Sequence, residues 1–300
     1  MTISVSTRSK IGAFAFWTAS VAAAWRPLAQ TFALALREDA FTYVLIILPV
    51  SAVLLYLGWQ SLQASIAPSI RKGSALLLIA IGTACVAFGW RASMTADVQL
   101  SVTMFALVLW WIGTFVFWFG DRAGRLALFP LCFLFGLVPL PRLPLNAIVA
   151  MLQSGSAWTA HGLFVLAGVP VDQSGVFLAI PGLTIQVAQE CSSIRSSSLL
   201  LATTIVLAQL VLYSPWRKAL VIALAVPLSI AKNGLRVFII GFLGTRVDPG
   251  YLTGRLHHQG GIVFFALALL AVFTLLWLLR RGEQTPQAGN RNMQVKAVNG

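Results

Sequence analysis

"KALVIALAVPLSIAKNGLRVFIIGFLG", residues 218–244, decides how this chain folds. After its opening lysine the stretch is apolar for long enough to cross a hydrocarbon core about 30 Å thick, which takes about 20 residues in a helix. Yet Lys232, Asn233 and Arg236 stand in its interior. An ionised side chain at mid-bilayer costs about 2.5 to 3.5 kcal/mol even on the lenient insertion scale, so these groups must face a partner or a wet cavity rather than lipid. A membrane helix that shelters two cations needs neighbours, and the stretch therefore predicts a bundle.

The rest of the chain supplies those neighbours. Of its 300 residues 58% are hydrophobic and 10% charged, with a mean hydropathy of +0.86, where a soluble globule carries about 25% charge. Apolar runs at residues 41–59, 74–90, 100–120, 126–140, 198–213, 219–244 and 261–279 predict seven spans. The segment "STRSKIGAFAFWTASVAAAWRPLAQ", residues 6–30, has a basic start but no small-residue cleavage site after its apolar middle. It is expected to be a retained helix, either an eighth span or one lying in the interface. The predicted class is all-α, a polytopic transmembrane bundle of seven to eight spans forming one integral domain over residues 1–281. Residues 282–300, polar and without aromatics, are expected to form a disordered tail.

The 21 Lys and Arg outnumber the 8 acids, giving a formal net charge of +13. In a soluble protein that excess would suggest nucleic acid. Here the basic residues sit in short loops, as the positive-inside rule requires, so no nucleic-acid partner is expected. Arg71 and Lys72, Arg122 and Arg125, Arg217 and Lys218, and Arg280 and Arg281 mark alternate span ends and are assigned to the cytoplasmic side. The segment 139–191 and the loop 245–260 then face outward.

That outward segment is not a plain span. Three prolines in "VPLPRLPLN", residues 138–146, are expected to break the helix. Residues 147–168 mix apolar positions at helical spacing with Gln153, Ser154, Ser156 and His161, which predicts an amphipathic interfacial helix or hairpin. "VPVDQSGVFLAIPGLTIQVAQE", residues 169–190, alternates like one or two short strands turning at Pro181 and Gly182. Together they predict a small outward cap.

The cap feeds into "QECSSIRSSSLLLATTIVLAQLVLY", residues 189–213, where a cysteine opens an apolar run. Cys191 falls at the outward start of a span, where unpaired backbone N–H groups and the helix dipole favour an anion and so raise a thiol's thiolate fraction. Arg195 lies one turn on and adds to that effect. The serines around it keep the turn small and polar. Cys85 and Cys132, by contrast, lie inside apolar runs and read as small buried hydrophobes. Three cysteines offer no metal-ligand spacing, and no metal site is expected.

Two further oddities belong to the same membrane face. Arg236 comes late in a span that starts at Lys218 on the cytoplasmic side, which sets it toward the outer leaflet, and Pro227 and Gly234 permit a local break beside it. "GRLHHQGGIVFFALALL", residues 254–270, places His257 and His258 just before the last span, and histidine exchanges protons near neutral pH. A thiolate, a guanidinium and an imidazole at one face are the parts for acyl transfer: nucleophile, oxyanion donor and proton carrier.

"VAQECSSIRSS", "NGLRV" and "HHQGGIVFF", in this order on successive helices, resemble the exosortase and archaeosortase family of membrane-embedded cysteine transpeptidases. The upstream "VPLP", "LAGVPVDQSG" and "GLTIQVAQE" look like that family's approach to its cysteine. The likeness is close over about residues 139–265, the expected catalytic core, and extends to the N-terminal spans only in hydropathy. It implies catalytic roles for Cys191, Arg236 and a histidine: His257, followed by Gly261 and Phe265, or His258 beside it. Lys232, Asn233 and Arg195 are the accompanying candidates for holding substrate. One departure is Ser193, where the family commonly has glycine two residues after its cysteine, which bears on substrate motif more than on chemistry.

The resemblance further implies substrates that are exported proteins bearing a C-terminal signal: a short motif such as Pro-Glu-Pro, a transmembrane helix and a basic cluster. Cleavage would proceed through a thioester, with no metal or organic cofactor, on the outer side of the cytoplasmic (inner) membrane. Two other classes fit the residues alone. A transporter or channel would use Lys232 and Arg236 to line an anion path, and a lipid-linked acyltransferase would share the thioester but take its acyl group from lipid.

Overall fold

A computed structural model describes residues 5–187, 194–247 and 255–283, with side chains at 11–187, 194–247 and 261–283. The described residues are 80% helical, with one three-stranded sheet among them, and the chain is an all-α polytopic membrane protein. It forms two compact units, Met1–Ala147 and Ile148–Gly300.

The first unit holds α1 (Val5–Ala23), α2 (Trp25–Arg37), α3 (Val44–Leu57), α4 (Trp59–Gln63), α5 (Ile70–Gly89), α6 (Ala96–Phe119), α7 (Asp121–Leu126) and α8 (Leu128–Phe133). The most buried of its spans is α6. Small residues let α5 approach it: a Cβ at Gly73 would stand 2.4 Å from the Phe117 Cα, and one at Gly113 would stand 3.1 Å from the Leu77 nitrogen. In a membrane, where no hydrophobic drive joins helix to helix, such close backbone packing is the main source of association. On another side of α6, the Trp111 indole donates to Ser20 Oγ of α1 at 2.8 Å.

The turn leaving α6 requires glycine. Gly120 has φ of 90°, and a Cβ there would fall 1.6 Å from the Ala67 carbonyl oxygen, while the Ala67 N–H donates to the Phe119 carbonyl at 3.0 Å. Just beyond, Asp121 accepts from Lys72 at 2.8 Å and from Arg125 at 2.7 Å. The basic residues that the sequence assigns to one side of the membrane therefore do gather at one end of this unit.

The second unit contains most of α9 (Arg142–Leu166), then β1 (Asp172–Ser174), β2 (Phe177–Ile180), β3 (Leu183–Gln186), α10 (Ile194–Val211), α11 (Pro215–Arg246) and α12 (Arg255–Arg281). The sheet is antiparallel in the order β1-β2-β3, turning at Gly175 and Gly182, both with positive φ. It has one strand more than the alternation suggests, because a three-residue strand is too short to show a period. Its inner residues Leu178 and Ile180 are buried with Ala157, Ala160 and Phe164 of α9 and Val237 of α11. A second core joins Leu200, Ala208 and Leu212 to Val221 of α11 and to Ala268, Val272 and Leu276 of α12. At its far end Arg217 donates to the Leu279 and Gly282 carbonyls, and Glu283 accepts from the Tyr213 and Ser214 N–H groups at 2.9 and 2.8 Å.

Six helices among the described residues are long and apolar enough to span, or up to seven if the bent pair Leu128–Leu137 and Arg142–Leu166 is one span. They match six of the seven expected runs. The exception is residues 126–140, which divide into α7, α8 and the 3-10 turn Leu134–Leu137 and reach span length only together with α9. Near the N-terminus the apolar helix Ile11–Ala23 falls short of a span by length.

Three local expectations are corrected. The expected break falls at residues 138–141, around Pro139 and Pro141, and separates Leu128–Leu137 from α9, but Pro144 takes no part in it: it lies in the first turn of α9, where its missing N–H has no partner to lose. The 32-residue α11 runs unbroken through Pro227 and Gly234. Cys85 and Cys132 are exposed rather than buried, because the outer surface of a membrane helix is as apolar as its core and accepts a thiol equally well. Of the expected tail, Gly282 and Glu283 are ordered against the α10–α11 loop; residues 284–300 lie outside the described residues.

Candidate active site

Two glycines press α11 against α9. A Cβ at Gly234 would meet the Thr159 Cβ at 2.4 Å and the Ser156 carbonyl at 3.0 Å, and one at Gly155 would meet Ile230 at 2.9 Å. Gly234 thus serves as a contact point rather than a hinge. The adjacent Asn233 is fully buried and Lys232 is 6% exposed. Neither side chain faces lipid, as the cost of polar groups in the apolar layer demands.

The opposite flank of α11 meets α10. The Lys232 ammonium donates to Ser196 Oγ. One turn toward the loop, Ser229 Oγ lies 2.6 Å from Ser197 Oγ, with both residues buried. Near the loop, Lys218 Nζ donates to Gln209 Oε1 at 2.7 Å. These three contacts keep a single register: counted outward from the loop between Tyr213 and Ser214, the partners are equidistant to within one residue. Ser229 is absent from the sequence-derived site. It precedes Lys232 by three positions and so shares its helix face, but nothing in the sequence sets it apart until Ser197 is seen opposite it.

Arg236, one turn beyond Lys232, is half-buried. Its Nη1 lies 4.0 Å from where a Cβ on Gly261 of α12 would stand, so α12 passes the guanidinium at a glycine. Backbone for His257 and His258 belongs to the first turn of α12, one turn or less before Gly261; their side chains lie outside the described residues. So does Cys191, which precedes the first residue of α10 by three positions. Arg195, the second residue of α10, is exposed. The structure therefore brings Lys232, Asn233 and Arg236 onto one stretch of α11, joins Lys232 to the start of α10, and sets Arg236 beside α12. Among the described residues no group of three or more metal-binding side chains occurs.

Several helices long and apolar enough to span, with Lys232 and Asn233 buried on one of them, define a multi-pass membrane protein. The family model for the transmembrane exosortases matches residues 13–274, and the chain belongs to that family. No curated protein and no solved structure matches it.

Proposed function

We propose that this chain is a cysteine transpeptidase or protease that removes the C-terminal sorting signal of exported proteins at the outer face of the cytoplasmic membrane. The observation that carries the reading is the register of the α10–α11 hairpin. Antiparallel helices rise equally, about 1.5 Å per residue, and Gln209 with Lys218, Ser197 with Ser229 and Ser196 with Lys232 hold one register as far as the start of α10. By sequence position alone, the residue as distant from the loop as Arg236 is Cys191, which lies outside the described residues. The approach of Arg236 to Gly261, one turn after His257, supports a third member from α12.

In this reading the Cys191 thiolate attacks the scissile carbonyl carbon. Arg236 donates hydrogen bonds to the oxygen as it becomes anionic. His257, or His258 beside it, takes the thiol proton and delivers it to the departing amine, leaving a thioester on Cys191. Water or another nucleophile then opens the thioester and restores the thiol. Arg195, Lys232 and Asn233 surround the approach of the substrate, and no cofactor is used. The substrate is a polypeptide whose own transmembrane helix fixes its scissile bond at one depth in the lipid, which gives a membrane-held nucleophile proximity without a deep binding cleft. The test is Cys191→Ala co-expressed with a tailed substrate: processing stops while the protein stays in the membrane. Unchanged processing would overturn the assignment.

A further inference from the structure

We propose that the cleft between the α10–α11 loop and the end of α12 binds one anionic phospholipid, a phosphodiester whose headgroup carries free hydroxyls. Arg217 in this cleft precedes Arg236 by nineteen residues of α11, about 28 Å of helix. The site is therefore separate from the candidate active site and does not rest on the transpeptidase reading.

The cleft encloses about 340 Å³ and is lined by Tyr213, Ser214, Trp216, Arg217, Gly282 and Glu283. Both of its charged groups are held by backbone. The Arg217 guanidinium donates to the Leu279 and Gly282 carbonyls, and the Glu283 carboxylate accepts from the Tyr213 and Ser214 N–H groups. A guanidinium has more N–H donors, and a carboxylate more lone pairs, than these two bonds each consume. The cleft thus offers a fixed cationic donor and a fixed anionic acceptor, which suit a phosphate with a hydroxyl beside it. The positive-inside rule explains basic residues at a span end, but not a cleft that fixes one group of each sign.

Charge selects the headgroup. Arg217, Lys218, Arg280 and Arg281 gather at this end against one acid, Glu283. None of the four cations lies in an ion pair among the described residues. An ammonium headgroup meets repulsion from this excess, whereas an uncharged hydroxyl does not and still donates to Glu283.

The aromatic rings select lipid over a free phosphate. Tyr213 and Trp216 border the cleft, Trp277 lies one turn before Arg281, and all three are more than half exposed. Rings of this kind collect at headgroup depth. The cations lie along them rather than reaching into water: Arg217 is 5.5 Å from the Trp216 centroid, Arg280 5.9 Å from that of Tyr213 and Arg281 3.5 Å from that of Trp277. A lipid phosphate meets them at that depth.

The test is native mass spectrometry of the full-length chain, stripped of lipid in detergent and titrated with dioleoyl phosphatidylglycerol, phosphatidylethanolamine or phosphatidylcholine. One phosphatidylglycerol should bind about ten-fold more tightly than either of the others, and Arg217→Gln should abolish that preference. Glu283→Gln should weaken phosphatidylglycerol and leave phosphatidic acid, which lacks the glycerol hydroxyls, unchanged. Because Arg217 also ties α11 to α12, a second measurement uses the unaltered chain. A phosphatidylglycerol carrying a diazirine next to its headgroup should label the segment 213–217 or residues 282–283 on illumination. Equal binding of the three lipids, tighter binding of phosphatidylethanolamine, or label confined to other segments would overturn the proposal. Loss of the label on adding soluble glycerol 3-phosphate would assign the cleft to a free phosphate and overturn the lipid.

Discussion

Ser197 Oγ and Ser229 Oγ stand 2.6 Å apart, buried between α10 and α11 inside the apolar layer. Interhelical hydrogen bonds in membranes average about 0.6 kcal/mol and reach about 1.7 kcal/mol. A double-mutant cycle over Ser197→Ala and Ser229→Ala should therefore give a coupling of about 1 kcal/mol in thermal or denaturant unfolding from micelles. Additive effects would show that the two hydroxyls do not bond.

Gly234→Val should be far more damaging than any serine change. Its side chain would enter the space of the Thr159 Cβ at 2.4 Å and the Ser156 carbonyl at 3.0 Å, forcing α9 away from α11. Overpacking of this kind costs about 1 to 3 kcal/mol. Gly120→Ala should cost at least as much, since it combines a left-handed backbone with a carbonyl oxygen at 1.6 Å from the new Cβ. Both are checked by the fraction of protein that remains monodisperse after extraction, with Gly82→Ala, which meets nothing within 4 Å, as the neutral control.

Glu283 makes the stability depend on pH. Partial burial pushes its carboxyl up, but the N–H groups of Tyr213 and Ser214 and the nearby Arg217 and Lys218 outweigh this and leave it below the ordinary glutamate value. A carboxyl lowered in the folded state stabilises the fold above its unfolded value of about 4.3, and that contribution is lost as pH falls through the lower folded value. The melting temperature should therefore decline as pH drops below about 4.3, and Glu283→Gln should remove that part of the decline. An identical acid profile for Glu283→Gln would contradict the assignment.

Arg236 and the histidines predict separable kinetic defects. Arg236→Gln should lower kcat about 10²- to 10³-fold, the usual loss for one oxyanion donor, with little change in KM. His257→Ala should abolish the limb of the pH–rate profile near neutrality, and His258→Ala should leave it in place. The reverse result would exchange their roles; loss of neither limb would remove histidine from the mechanism.

The spans and the polar stretch of α11 were legible because hydropathy and charge are read along the chain, and a cation inside an apolar run stands out without knowledge of its partner. The partner itself was not legible. Ser229 is unexceptional in sequence and gains meaning only when Ser197 faces it across another helix. Gly234 reads equally as a hinge or as a contact point, and only the Thr159 methyl decides between them. Pro144 and residues 126–140 misled for a related reason: proline is tolerated in a first turn, and an apolar run of fifteen residues fits several short helices as well as one span.

The central claim is a covalent one, and the most direct measurement is the mass of the protein after rapid acid quenching of a reaction with a tailed substrate. The account predicts an adduct equal to the substrate fragment upstream of the cut, carried on the peptide containing Cys191 and released by hydroxylamine. Turnover of the substrate with Cys191 unmodified at every quench time, and undiminished in Cys191→Ala, would contradict it.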